Sequence, residues 1–386
     1  MTAHAQYFDL AKGKRKTLPF KLIRNLVVIQ LKINNKGPFN FILDTGVGFV
    51  LITDPSLTDT LKLANNRTIK MSGFGEGEDF EAYITKPLAI EIPGLICHNI
   101  SAAILKKDHF NLSTYTGTPI HGLIGYEFFS RLAVKISFSD STITVARPKY
   151  MRMYKNATHI PLSIEDRKPY LTAKVVFANG TEKESKLVVD LGAGHFVSME
   201  NVANTTLLQN KLVRANLGIG IKGQIMGSVS RIKEITLGKY KMQNIISAFP
   251  DDDMHSLNIP RDGNLGMGLL RKFDIIFDYP DSVMYLHPAS NFKAPSEHDM
   301  SGLAYYASGE NYSHIIIYNV EPESAGDDIG LEKDDEIVSI NFRPVDEMSL
   351  QQIDDIFKSK DKRVLVLMIY RDKKYQRVVM TLKRRV

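Results

Sequence analysis

Two aspartates stand out in this 386-residue chain for the chemistry their surroundings allow. Asp44 ends the run Asn40-Phe-Ile-Leu and is followed by Thr45-Gly46. Asp190 ends Lys186-Leu-Val-Val and is followed by Leu191-Gly192, 146 residues further on. An apolar strand that stops at Asp-x-Gly puts a carboxylate on a tight turn, within reach of backbone amides. Other chemistries are poorly provided for. Neither His-Glu-x-x-His nor Gly-x-Ser-x-Gly occurs. Cys97 is the only cysteine, which excludes an intrachain disulfide and a multi-cysteine metal knuckle. Gly218-Ile-Gly-Ile-Lys-Gly223 matches a dinucleotide fingerprint, yet no βαβ unit surrounds it. Asp251-Asp-Asp253 lacks the spaced oxygen ligands of a cation loop and reads as solvated.

The elements that must position these aspartates come in duplicate. Gly73-Phe74-Gly75 recurs as Gly218-Ile219-Gly220 at an offset of 145, and Gly122-Leu-Ile-Gly125 as Gly263-Asn-Leu-Gly266 at an offset of 141. That last register continues without a gap. Phe128 to Phe138 lies over Leu269 to Tyr279, and the turns at Asp140-Ser141 and Asp281-Ser282 each precede a final strand. Ordered landmarks at a nearly constant offset predict two homologous lobes. The local pattern is β-rich. Leu26–Ile33 and Tyr170–Phe177 alternate or are β-branched, and turn formers at Asn34–Gly37 and Ala178–Gly180 feed the chain toward each aspartate. Short helices are expected after Gly125 and Gly266, and another from Asn201 to Leu212.

On these residues the chain resembles the aspartic peptidases of the retropepsin and pepsin superfamily, over roughly residues 20 to 290. Each lobe of that family supplies an Asp-Thr/Ser-Gly turn, a glycine-containing flap hairpin and an apolar–apolar–Gly segment that braces the aspartate loop. The first lobe offers Asp44-Thr45-Gly46, a flap at Gly73, Phe74 and Gly75, and Leu123-Ile124-Gly125. The resemblance implies a mainly β fold, two retropepsin-like β-barrel lobes (1–150 and 151–290) forming a pepsin-like bilobed unit. It also implies a dyad of Asp44 and Asp190. Two carboxylates at one site cannot both ionise cheaply, so a single proton is held between them. The ionised oxygen takes a proton from water, which attacks the scissile carbonyl, and the protonated partner hydrogen-bonds the carbonyl oxygen. No metal or other cofactor is required. A full duplication implies that the site is completed within one monomer.

The second lobe departs from the pattern. Leu191 stands where the family has the hydroxyl that interlocks the two aspartate turns, leaving Thr45 without a reciprocal partner. Asn264 occupies an apolar position of the brace, while Asp190 and Gly192 remain, with a flap at Gly218 and Gly220.

His287 to Ser296 is rich in turn formers and reads as a linker. Beyond it, Ile315–Val320, then Glu321-Pro-Glu-Ser-Ala-Gly326 and Ile329 to Asn341, resemble bacterial PDZ domains. Glu323, Ile329 and Asp334 are mild departures. The resemblance implies a small α+β domain over 297–386, with Leu350–Phe357 as groove helix and closing strands at Val364–Tyr370 and Val378–Leu382. Ser301, Gly302, Leu303 and Ala304 fall where the family's carboxylate-binding loop begins, and would bind a peptide added to the sheet edge. A module that only packs or dimerises remains the alternative.

A net charge of +6 and short basic runs at Lys12–Lys16 and Lys383–Arg385 indicate solvated tails and no nucleic-acid partner. No apolar stretch is long enough to span a membrane. Ala3-His4-Ala5 reads as the end of an export signal, which with the architecture implies a periplasmic or cell-envelope protein. The function expected is an aspartic endopeptidase whose PDZ domain recruits peptide or protein substrates. A degenerate peptide-binding protein is the rival.

Overall fold

The computed structural model describes residues 7–63, 65–71, 80–200, 202, 207, 212–220, 223–251 and 259–386. The chain is mainly β and divides into two compact units, Met1–Phe110 with Ile120–Ser296 and Asn111–Pro119 with Glu297–Val386.

In the first unit, Leu26–Ile33 is β-branched and buries Leu26 to Ile29, Leu31 and Ile33 while exposing Gln30 and Lys32. Asn34 and Asn35 both adopt positive φ, which asparagine tolerates in a tight hairpin turn. The chain returns as the first aspartate strand, Lys36–Leu43. This strand pairs antiparallel with Leu26–Ile33, Ile29 opposite Phe41, and parallel with Gly122–Ile124, Leu43 opposite Ile124. Leu51–Ile52 closes on the far side of Gly122–Ile124.

The second half repeats this arrangement. The aspartate strand Glu182–Asp190 lies between antiparallel Lys168–Val176 and parallel Gly263–Gly266, and Val197–Met199 closes beyond. Short helices Tyr126–Phe129 and Met267–Leu270 follow the two glycine segments. The helix expected from Asn201 to Leu212 falls almost wholly outside the described residues.

A third sheet joins the halves. Ala133–Ser137 pairs antiparallel with Phe273–Asp278, Val134 opposite Phe277. Thr142–Ala146 and Arg15–Pro19 extend it on one side, Val283–Pro288 and Thr158–Pro161 on the other. Its central strand Phe273–Asp278 is buried on both faces, Asp274 and Asp278 included, so buried and exposed positions do not alternate along it. Phe129 stacks on Tyr279 at the seam and Phe277 meets both rings edge-on, and one apolar core runs through both halves.

The second unit has its own core. Its sheet runs Leu303–Ser308, His314–Val320, Glu336–Ile340, Val364–Arg371, Lys374–Thr381, which leaves Leu303–Ser308 at an edge. Helix Leu350–Phe357 starts in a capping box of Ser349 and Gln352 and buries Leu350, Ile353 and Phe357, at helical spacing, in that core. The short helix Leu112–Thr116 belongs to this unit, and Gly117 sits against Leu350 and Ala307.

Candidate active site

Both aspartates sit at the ends of their strands, on turns held from beneath. The Asp44 amide donates to Ile124 C=O. The bracing glycines are required by close approach: a Cβ on Gly125 would fall 2.5 Å from Asp44 O and 2.0 Å from Val47 O, and one on Gly266 2.4 Å from His195 O. Each turn also folds back on its own carboxylate, with Gly46 N–H donating to Asp44 Oδ1 (2.7 Å) and Gly192 N–H to Asp190 Oδ1 (2.8 Å).

The two turns face each other with approximate twofold symmetry. A Cβ on Gly46 would lie 2.9 Å from Asp190 Oδ2, and one on Gly192 2.3 Å from Asp44 Oδ2, so each carboxylate rests on the other turn's glycine. The two carboxyl groups thus lie close enough for the charge of Asp190 to act on Asp44. Asn25 donates to Gly194 C=O and Arg167 to Gly48 C=O, each at 3.3 Å, from hairpin turns at Arg24-Asn25 and Asp166-Arg167 that all have positive φ. Burial, then the charge of Asp190, hold the Asp44 carboxyl well above the ordinary carboxylate range, and Lys168 opposes them weakly. Below the pair, burial pushes the Tyr279 phenol well above its usual value, so it stays neutral.

Half of the interlock between the turns survives. Thr45 Oγ1 donates to Val189 C=O (2.7 Å) and accepts from Leu191 N–H (3.0 Å). Thr45 therefore keeps two partners, both backbone groups: the Val189 carbonyl, and the Leu191 N–H, which leucine supplies as well as threonine would. What the leucine removes is the reverse pair of bonds, and its side chain is instead fully buried in the apolar core.

Two residues near Asp190 carry more than their sequence setting suggests. Asn264 Nδ2 donates to Asp190 Oδ2 (2.7 Å), and Asn264 Oδ1 meets His195 Nε2 at 3.1 Å. By sequence Asn264 is only a weak apolar brace, and nothing singles out His195. The repeat register holds the signal that finds them: Phe49 and Leu123 stand in the first lobe where His195 and Asn264 stand in the second. An apolar pair has been exchanged for a hydrogen-bonding pair.

The structure thus brings Asp44, Thr45, Gly46, Asp190, Leu191 and Gly192 together. Of the flap residues, Gly73, Phe74 and Gly75 lie outside the described residues. Gly218 and Gly220 end the first arm of a hairpin, Val213–Gly220 with Gly223–Leu237, in the same sheet as the Asp190 strand. Ser301, Gly302, Leu303 and Ala304 belong to the second unit. The anion nest expected there already holds a carboxylate of the chain. Asp299 Oδ1 accepts from Ser301 N–H (2.9 Å), Gly302 N–H (2.8 Å) and the Ser301 hydroxyl (2.7 Å), and Leu303 N–H turns to Ser301 Oγ (3.1 Å).

Residues 29–128 match the aspartyl protease family, and residues 316–371 match the PDZ domain. The chain pairs an aspartyl-protease-like fold with a PDZ domain. Among solved structures, the aspartic proteinase from Irpex lacteus is 11% identical with a TM-score of 0.46, covering 73% of this chain and 99% of its own. No curated protein matches the chain. The aspartyl-protease-like region and the PDZ domain together support a protease-type function. No helix among the described residues is long and apolar enough to cross a membrane.

Proposed function

We propose that this protein is an aspartic endopeptidase in which Asp44 and Asp190 share one proton and activate a water against a peptide carbonyl. The observation that carries this reading is the mutual packing of the two carboxylates, each against the glycine of the opposite Asp-x-Gly turn. Like charges so close favour single ionisation of the pair. The ionised carboxylate takes a proton from water as oxygen bonds to the carbonyl carbon, while the protonated carboxyl donates to the carbonyl oxygen. The proton taken from water then passes to the leaving nitrogen as the C–N bond breaks. Thr45 fixes the relative position of the two turns through the backbone of the second.

The PDZ module is read as a recruiter of extended peptide. Its strand Leu303–Ser308 is the edge of the sheet, and helix Leu112–Thr116 packs against it, so a peptide strand added there must share or displace that segment. Asp299 already fills the amide nest, which favours internal segments over free C-termini.

The test is cleavage of a degenerate peptide library by purified protein across pH, with Asp44→Asn and Asp190→Asn as controls. Cleavage lost in both variants supports the reading. No cleavage by the parent at any pH, with peptide still bound, moves the assignment to a peptide-binding protein, a reading that Leu191 favours.

A further inference from the structure

The two aspartates are alike in sequence setting but not in hydrogen bonding, and the difference bears on which does what. This inference rests on the peptidase reading above. Asp190 receives an N–H on each oxygen, from Gly192 on Oδ1 and from the Asn264 amide on Oδ2. Asp44 receives Gly46 N–H on Oδ1. The residue standing to Asp44 as Asn264 stands to Asp190 is Leu123, which has nothing to donate. A carboxylate with donors on both oxygens is stabilised as the anion, because hydrogen bonds to the charged form favour it.

The amide is also held in the orientation that donates. Asn264 Oδ1 can only accept, so the ring nitrogen facing it at 3.1 Å, His195 Nε2, carries a hydrogen. Turning the amide over would face an oxygen to the Asp190 carboxylate and set two N–H groups against the ring. His195 is half-buried, and its desolvation lowers its affinity for a proton, so it serves as a neutral donor. The charged groups nearby do not disturb this. Arg261, which faces His195, is paired with Glu200 by two bonds of 2.9 Å, and Tyr279 beneath both carboxyls is neutral.

We propose that Asn264, oriented by His195, makes Asp190 the ionised, water-activating carboxylate of the pair and leaves the shared proton on Asp44. Asn264 and His195 are then positioning residues. The upward displacement of the Asp44 carboxyl, caused first by burial and next by the charge of Asp190, agrees with this distribution.

The test replaces the second-lobe pair by what the first lobe carries. In Asn264→Leu the acid limb of the kcat/KM profile should move up by about one to two pH units, the effect of one lost charge-assisted hydrogen bond. His195→Leu should move it the same way, since the amide is then free to turn. His195→Gln, whose amide still donates, should keep the limb near its parental position, a rescue that mere space-filling would not give. If Asn264→Leu does not fold, the His195 pair of variants carries the test alone. An acid limb unmoved in folded, active Asn264→Leu and His195→Leu overturns the proposal. Should the parent cleave nothing, the peptidase reading fails separately. The proposal is then read from carbon-13 titration of the aspartate carboxyls, where the lower apparent value of the pair must rise in Asn264→Leu. Identical titrations overturn it.

Discussion

Replacing Leu191 with threonine restores the hydroxyl that the first lobe still has. Thr45 shows what that hydroxyl does: it donates to Val189 C=O at 2.7 Å and accepts from Leu191 N–H at 3.0 Å. By the approximate symmetry of the turns, the hydroxyl introduced in Leu191→Thr would donate to Leu43 C=O and accept from Thr45 N–H. Two net hydrogen bonds contribute about 1–3 kcal/mol. Against this, Leu191 is fully buried in the core. Exchanging its branched end for a smaller, partly polar one forfeits about two methylene equivalents at about 0.8 kcal/mol each, plus a cavity term. The two sides nearly cancel, so the melting temperature should change by only a few degrees. Turnover should respond more, because a fully interlocked pair of turns holds the dyad closer to its reacting geometry. If about 1 kcal/mol of the gain is expressed in the transition state, kcat/KM rises about fivefold. Thermal unfolding and peptide cleavage measured on the same preparations separate the two effects. A variant with parental melting temperature and unimproved or lower kcat/KM refutes the idea that the missing hydroxyl limits this site.

On the peptidase reading, the raised Asp44 carboxyl sets an alkaline limit on activity. Function needs that proton, so cleavage should persist above the range where ordinary carboxyls have ionised and fall as pH rises through the Asp44 value. A limb near pH ~4, the ordinary aspartate value, would contradict the assignment. Glu127, just past Gly125, is buried, and burial raises its carboxyl to about 7. An acid with a raised folded value costs stability once the unfolded chain ionises, so that cost grows from about pH 4.5 to 7. Glu127→Gln should therefore match the parent in melting temperature below pH ~4.5 and exceed it above pH ~7, by up to about 3 kcal/mol in stability. Equal stabilities at both ends would show that Glu127 does not titrate across this window. Because Asp299 occupies the PDZ nest, amidating a peptide's C-terminus should leave its affinity unchanged in the parent, and Asp299→Ala should create a preference for the free carboxylate. Titration calorimetry with paired peptides decides it, and a parent that already loses binding on amidation would show that the nest is open.

Much of this arrangement is legible in the sequence because duplication writes each structural requirement twice. The aspartate strands, the bracing glycines and the short helices after them can be read from offsets of 146 and 141, and each glycine has a steric reason to persist. The sheet shared between the halves is not legible. Ala133–Ser137 and Phe273–Asp278 are short strands at the same repeat position, each mixing apolar residues with polar ones such as Lys135 and Asp274, and nothing in them states that one pairs with its own counterpart. The filled PDZ nest is hidden for a similar reason: Asp299 lies just before the loop, and nothing around it marks its carboxylate until it is seen under three donors. The expectation that Thr45 lacks a reciprocal partner stands for the return pair of bonds, which Leu191 cannot make; what the sequence hides is that the Thr45 hydroxyl itself bonds to backbone of the other turn and keeps its half of the interlock.

The repeat also explains how the two halves came to differ without losing the site. Four positions hold the pair: the residue after each aspartate, and the brace beneath it. The first lobe keeps the hydroxyl, Thr45, and an apolar brace, Leu123. The second has an apolar Leu191 and a polar brace, Asn264. Each lobe thus places one polar side chain at a buried position, and each such side chain is satisfied, Thr45 by backbone of the other turn and Asn264 by Asp190 and His195. Burying an unsatisfied group would cost about 1–3 kcal/mol, so Asn264 is tolerable only with both partners in place. This makes His195 and Asn264 a unit. Giving the second lobe the apolar pair of the first, as His195→Phe with Asn264→Leu, should destabilise the fold less than Asn264→Leu alone, which takes away the acceptor that faces the half-buried His195 at Nε2. A double-mutant cycle in unfolding free energy measures this directly, and strictly additive effects would dissolve the unit.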